Sequence, residues 1–339
     1  MKTGRWVAVL LGLAVVLASP ASAGPPETSS ADWKISGPFT HQNLAVYLVR
    51  SKDVLPDRKF LTLQEALEQK KAVVHETGSV NQLAVENSSH DTEVFIQAGD
   101  IVKGGQQDRV LSYDLLVPPR SGKVPIAAFC VEAGRWQQRG GEDAREFSRS
   151  GGSLPGKALR LAVSSARQQG QVWEKVKEQQ DKLGKRLNKN VADSRSPSSL
   201  QLTLEDKELK AKVDAYVGKL EKHVADKRDV VGFVVTINGK LEGAEIYGSS
   251  ALFRKMWPKL LRAAAVDAFA EQQPGRKYEP VETDEVQAFL TEASKGKGTD
   301  TVVNRRIRVT TRQGEAALYI ETRDQDHKGA VLHRSYIAR

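Results

Sequence analysis

Two short stretches hold the residue types from which a site could be built. The first is Gly104-Gly105-Gln106-Gln107-Asp108-Arg109, between two strand-like segments. Paired glycines permit a tight turn and let backbone amides approach an anion closely. Asp108 and Arg109 would add polar recognition. The second is Cys130-Val131-Glu132-Ala133-Gly134-Arg135-Trp136, where a strand runs out into a polar segment. Period-2 geometry puts Cys130 and Glu132 on one face. Arg135 could lower a thiol pKa or hold an anion, and Trp136 could stack on a ring. The ligand-binding candidates are therefore Gly104, Gly105, Gln107, Arg109, Arg135 and Trp136. Glu132 and Asp108 are the candidate general bases. Each has a plainer reading: a loop that only turns the chain, an Arg109 paired to a carboxylate, and a Cys130 that packs as a small hydrophobe.

Spacing argues against other chemistries. His41, His75, His90, His223, His327 and His333 form no two-histidine metal motif, and Cys130 is the single cysteine. Neither a metal nor a cofactor is expected. There is no G-x-S-x-G elbow, phosphate-binding P-loop or dinucleotide fingerprint. Asn87-Ser88-Ser89 is a glycosylation sequon. The net charge is +9, but acidic and basic residues are interspersed. The densest basic run, Arg305, Arg306, Arg308 and Arg312, lacks the interleaved aromatics of a nucleic-acid platform. Trp257-Pro258-Lys259 reads as core packing with a helix kink at Pro258. Lys255 and Lys259 share a helical face toward an anion or water.

Positioning falls to the surrounding elements. Strand candidates are Leu44–Val49, Lys71–His75, Gln82–Glu86, Thr92–Gln97, Arg109–Val117 and Lys123–Val131, with a Thr62-capped short helix among them. Residues 137–156 are polar and Gly-rich and read as a long mobile loop. Trp173, Val176, Gln180, Leu183 and Leu187 recur at helical spacing. A second helix is expected from a Thr203 cap, with Leu209, Val213, Tyr216 and Leu220 inward. Asn238-Gly239 joins Val230–Ile237 to Lys240–Tyr247 as a hairpin. An apolar stripe through Phe253, Trp257, Leu261 and Ala268 follows, capped by Ser249 or Ser250. A shorter helix capped by Thr283 comes next, and strands Val302–Thr311, Ala316–Thr322 and Ala330–Ile337 close the chain. The fold class is α+β. A sandwich-like or barrel-like N-terminal part (43–165) and a C-terminal part of hairpin, strands and amphipathic helices (229–339) flank a helical hairpin (166–228).

The N-terminus has the three-part pattern of a cleavable secretory signal over residues 1–23. Lys2 and Arg5 precede the apolar run Trp6–Ala18, and Ala21-Ser22-Ala23 leads into Gly24. The run is shorter than the roughly 20 residues of a membrane span. Residues 24–42 read as a mobile leader. The expectation is an exported protein, periplasmic or secreted after cleavage near Ala23-Gly24, with no span in the mature chain and no disulfide.

GGQQDRVLSYDLLVPP (104–119), CVEAGRW (130–136) and VGFVVTINGKLEGAEIYGSSALFRKMWPKLLRAAAVDA (231–268) resemble the ARPP domain. That domain is associated with ADP-ribosylglycohydrolases and rhodanese–phosphatase superfamily proteins. The likeness runs from about Asn43 to the C-terminus. It implies a link to ADP-ribose or NAD-derivative metabolism and supplies no catalytic residue set, and export counts against that link. Three readings follow. The first is a small-molecule binding or accessory module sited at Gly104–Arg109 and Glu132–Trp136. The second is a hydrolase of a phosphate- or ribose-containing compound with Glu132 or Asp108 as base. The third is a structural or partner-binding envelope protein that uses the helical hairpin. No nucleic-acid partner is expected, and the oligomeric state stays open.

Overall fold

The computed structural model describes residues 32–165, 168–225 and 227–339. Segment 1–23, read above as a secretory signal, lies outside the described residues, as does the expected leader up to residue 31. The first half contains β1 (Lys34–His41), β2 (Leu44–Arg50), β3 (Phe60–Thr62), α1 (Leu63–Glu68), β4 (Ala72–Glu76), β5 (Gln82–Asn87), β6 (Glu93–Ile96), β7 (Asp100–Gly104), β8 (Arg109–Leu111), β9 (Leu115–Val117), β10 (Val124–Cys130) and β11 (Glu146–Ser153). Then follow α2 (Lys157–Ser165), α3 (Gln169–Leu187), α4 (Leu200–Leu204), α5 (Lys207–Leu220), β12 (Val230–Ile237), β13 (Lys240–Tyr247), α6 (Ser250–Glu271), α7 (Thr283–Ala293), β14 (Gly298–Val302), β15 (Ile307–Gln313), β16 (Ala317–Asp324) and β17 (Ala330–Ala338).

The class is α+β, and the N-terminal part contains a barrel. Strands β10-β5-β4-β11-β7-β8 close on themselves, and β3-β6-β9 form a small sheet beside them. An eight-stranded antiparallel sheet runs in the order β1-β2-β12-β13-β17-β16-β15-β14. Its hairpin β12–β13 turns at Asn238 and Gly239, with φ of 55° and 72°, as a type I′ turn requires. Alternation along β12 sends Phe233 and Val235 into the core shared with α6 and the barrel, and Val234 to the opposite face with Val286 and Leu290 of α7. The barrel alternates likewise. Val102 faces the main core, whereas Ile101 packs outward against Leu159 of α2 and Val176 of α3. Helix α6 is the central prop. Ser249 caps it through the Leu252 amide at 3.3 Å, and Phe253, Met256, Trp257 and Leu261 are buried along it.

Several expectations change. The region read as a mobile leader contains β1, and β1 and β2 pair into the sheet built by the C-terminal half. The boundary at residue 229 therefore does not separate two sheets. Arg109–Val117 is not one strand, because Ser112-Tyr113-Asp114 breaks it into β8 in the barrel and β9 in the small sheet. Residues 137–156 are not a free loop, since β11 pairs with β4 and β7 and buries Phe147, Ser150 and Ser153. Backbone pairing supplies the order that a Ser/Gly composition hides. Ser199 caps α4 and Asp206 caps α5, while the Thr203 hydroxyl donates back to the Ser199 carbonyl at 3.1 Å. Glu282, not Thr283, precedes α7. The helices of 166–228 are not a detachable hairpin: Leu183, Leu209, Val213 and Tyr216 belong to the main core.

Candidate functional site

The structure brings the residues singled out from sequence together at one end of the barrel. The β7–β8 turn meets the end of β10, and the segment after Trp136 folds across both. Asp108 is fully buried. Arg139 grips its carboxylate with two nitrogens, each at 2.9 Å, and Ser199 donates to it at 2.6 Å. The Gly104 amide donates to Asp108 Oδ1 at 3.0 Å, and the Gly105 amide donates to the Asp143 carbonyl at 3.0 Å. The anion that the Gly104 amide meets is thus the protein's own carboxylate, and the Gly105 amide meets a main-chain carbonyl. Gly105 is also required by space, since a Cβ there would fall 2.4 Å from the Phe147 ring in a backbone with φ of 52°.

Glu132 is equally enclosed. It accepts from Arg135 Nε at 2.6 Å, Arg139 at 3.1 Å and the Asp108 amide at 2.9 Å. Burial raises its pKa, but Arg135, Ser196 and the Asp108 amide outweigh burial and hold it below the ordinary carboxylate value. A carboxylate so held is a weak base. Arg135 also donates to the Gly104 and Gly105 carbonyls, at 3.2 and 3.1 Å, and Gln107 donates to the Glu132 carbonyl at 2.8 Å. Arg109 is buried inside the barrel wall, bonded to the Cys130 sulfur and to Glu76, with Trp136 stacked 5.2 Å over its guanidinium. Burial pushes the Cys130 thiol above its usual pKa despite Arg109, the opposite of what an activated nucleophile needs. The cluster is an internal network in which every carboxylate is paired to arginine, while Arg109 Nε and Arg139 Nε are buried without a partner among the described residues.

A second constellation lies where the barrel meets the large sheet. A cavity of about 90 Å³ opens there, well above the ~10–15 Å³ that one water requires by the same measure. Tyr247 pairs with His333 and Glu245 with Ser335 across β13 and β17, so these four side chains share the face turned to the barrel. His333 Nδ1 lies 2.8 Å from Asp114 and its Nε2 lies 2.8 Å from Glu245. Burial opposes its charge, yet the two carboxylates raise its pKa to about 9. The ring is therefore an imidazolium that donates from both nitrogens. Asp114 accepts further from the Ala98 amide at 2.8 Å and Thr322 at 2.7 Å. These donors and His333 overcome burial and keep it below the usual carboxylate range.

The mouth of the cavity carries a different set. Arg160 of α2 reaches Glu245, and Lys157 reaches Glu242 at 3.3 Å. Asp267 of α6 accepts one bond, from the Gly156 amide at 2.6 Å. Burial, and then the neighbouring Glu242, push its carboxyl up to about 8. Burial also raises Glu242, against the pull of Lys157. One cavity thus holds Asp114 ionised and Asp267 protonated at neutral pH. Environments that drive two carboxyls apart in this way are the usual basis for dividing acid and base roles. Among the described residues, no group of three His, Cys, Asp or Glu is arranged to hold a metal ion.

Antiparallel barrel, antiparallel sheet and a buried ionic cluster at their junction define a mixed α+β protein with a preformed small cavity. The chain belongs to the ARPP-1 family, described as the ARG and Rhodanese-Phosphatase-superfamily-associated Protein domain, whose model matches residues 32–337. Both β structures fall within the match. No curated protein and no solved structure matches. No helix among the described residues is long and apolar enough to cross a membrane.

His333, Glu245, Asp114, Arg160 and Asp267 come from five separate segments, so no motif spacing links them. Their signal was a charge embedded in an apolar run: Glu245 in Gly-Ala-Glu-Ile-Tyr, Asp267 in Ala-Val-Asp-Ala-Phe, and His333 in Val-Leu-His. Ionisable residues at core-facing positions are rare unless paired.

Proposed function

We propose that this is an exported binding protein for a small hydroxylated molecule, held in the cavity between Asp267 and Glu242 on one side and Arg160 and Lys157 on the other. The observation that carries the reading is Asp267, a carboxyl kept protonated to about pH 8 on a cavity wall. Such a group both donates and accepts, which suits a hydroxyl. Pockets of this kind combine apolar walls with a few convergent polar groups, and here Leu154, Val163 and Phe233 supply the walls. The segment 1–23 supports export. Isothermal titration with a panel of sugars and polyols tests the binding. Heat with at least one member, lost in Asp267→Ala, is expected. Binding that persists unchanged in both Asp267→Ala and Glu242→Gln places the ligand elsewhere. Mass spectrometry of the protein recovered outside the cytoplasm should give an N-terminus at Gly24.

The pKa split between Asp114 and Asp267 favours a second reading, a hydrolase acting on a phosphate- or ribose-containing compound with Asp267 as general acid. Asp267→Asn should then retain binding and lose turnover. Equal turnover in that variant removes Asp267 from the role.

A further inference from the structure

We infer that the ligand site has a second compartment, which takes the phosphate of an elongated ligand whose hydroxylated end sits at Asp267. This rests on the reading that the junction cavity binds ligand. A cavity of about 260 Å³ lies beside it, roofed by α4 and α5. Ser153 and Ala263 line both spaces. The wall between them is the Gly151-Gly152-Ser153 end of β11 and one edge of α6. On α6, Ala263 and Asp267 stand four apart toward the first cavity, and Arg262 and Val266 stand four apart toward the second. The two spaces are therefore served by adjacent ridges of one helix. The residues that face both spaces, Ser153 and Ala263, are small, and a Cβ on Gly152 would make only ordinary contacts, with Leu204 at 3.5 Å, Ser150 at 3.6 Å and Gln201 at 3.8 Å.

The chemistry of the second compartment differs from that of the first. Leu204, Leu209, Val213 and Val266 make much of its wall, and Lys210 and Arg262 bring cations to it. Glu205, on the same wall, is taken up by Lys103 at 2.7 Å. Arg262 rests on Asp214 at 2.8 Å, with side chains 38% and 57% exposed. A pair this exposed contributes little, so exchanging Asp214 for a ligand anion is cheap. A guanidinium fork with a nearby ammonium is the donor set that phosphate favours. The implied ligand is a polyol phosphomonoester.

Titrating the full mature chain with ribose, ribose 5-phosphate and inorganic phosphate tests this. Ribose 5-phosphate should bind at least tenfold more tightly than ribose or phosphate alone. Arg262→Ala should bring its Kd to that of ribose, and Ala263→Leu, which enlarges a side chain facing both spaces, should remove the same advantage. Equal affinity for ribose and ribose 5-phosphate, with ribose binding still lost in Asp267→Ala, overturns the second compartment and spares the first. Ribose 5-phosphate binding that survives Asp267→Ala but not Arg262→Ala shows a separate anion site and overturns the continuity. No binding of ribose 5-phosphate overturns the proposed ligand.

Discussion

His333 lies almost flat against Tyr247, with ring centroids 4.5 Å apart and planes 24° apart. An imidazolium over a phenol face gains cation–π attraction. The Tyr247 hydroxyl, donating to Gln97 at 2.9 Å, keeps its proton because burial drives its pKa well upward, with Glu245 and Asp114 adding to the effect. The stack ties the ionic cluster to the core.

The charge on His333 should be visible in the pH dependence of stability. Its pKa is raised to about 9 in the fold, so its contribution is complete below about pH 6.5, the unfolded value. That contribution is lost as pH rises through about 9. His333→Gln leaves buried Asp114 without its cation and Glu245 with Arg160, and should cost about 3–5 kcal/mol at pH 6, with the loss shrinking toward pH 10. Nitrogen-detected NMR should find both ring nitrogens protonated at pH 7. A neutral tautomer there would contradict the assignment.

Asp267 predicts a trend with the same direction and a different window. An unfolded Asp titrates near 3.9, and the native group near 8. The native state holds the extra proton between these values, so stability falls as pH rises through that window and levels off above it. Asp267→Asn keeps an oxygen for the Gly156 amide and removes the ionisation. Its melting temperature should exceed the parent's at pH 8.5, by roughly 2–4 °C for each kcal/mol relieved, and meet it near pH 4. Parallel curves across the whole range would mean that Asp267 titrates normally.

Arg139 should matter to folding and not to ligand. Arg139→Ala takes from buried Asp108 its two-pronged partner, leaving Arg135 at 3.8 Å as the cation beside it, and leaves Glu132 to Arg135, a change that costs about 3–5 kcal/mol. Chemical denaturation should show the loss, while ligand-induced stabilisation at the junction cavity persists. If stability holds and ligand response disappears, the barrel end is the binding site after all.

Cys130 should resist thiol reagents. Its sulfur is buried against Arg109, and burial raises its pKa. Ellman's reagent should label it only after denaturation. Stoichiometric labelling of the native protein within minutes would show an accessible thiolate.

Removing residues 170–226 should leave no folded remainder. Tyr216 of α5 donates to Asn43 at 2.9 Å, and Trp257 of α6 donates to the Glu221 carbonyl at 3.0 Å. A soluble, cooperatively melting deletion product would show that these helices are an accessory module.

Local signals were legible where one residue type has one use. Asn238-Gly239 fixed its hairpin, Thr62 and Glu65 form the reciprocal cap that their spacing announced, and the apolar stripe of α6 is buried as its period requires. Strand β11 escaped because its order comes from β4 and β7, partners distant in sequence. The candidate stretches at 104–109 and 130–136 come together in the fold, where Asp108, Glu132 and Arg135 meet. What the sequence could not show was Arg139, which arrives from the polar segment and, with Arg135, neutralises both carboxylates. The junction cavity was invisible for a related reason. A charge inside an apolar run signals burial, but which charge it faces is decided by strand register.

The pairing of β2 with β12 has a consequence for how the chain acquires its structure. Val46 sits opposite Val235, so the β1–β2 hairpin, paired within itself, has nothing on the inner edge of β2 until residues up to 237 have been made. Such long-range pairing slows folding, because loop-closure entropy must be spent before the contact forms. During synthesis one edge of the apolar β2 stays open while the barrel strands emerge. An apolar strand edge left open for that long is a template for pairing with another chain, so the nascent protein is vulnerable to aggregation until β12 arrives.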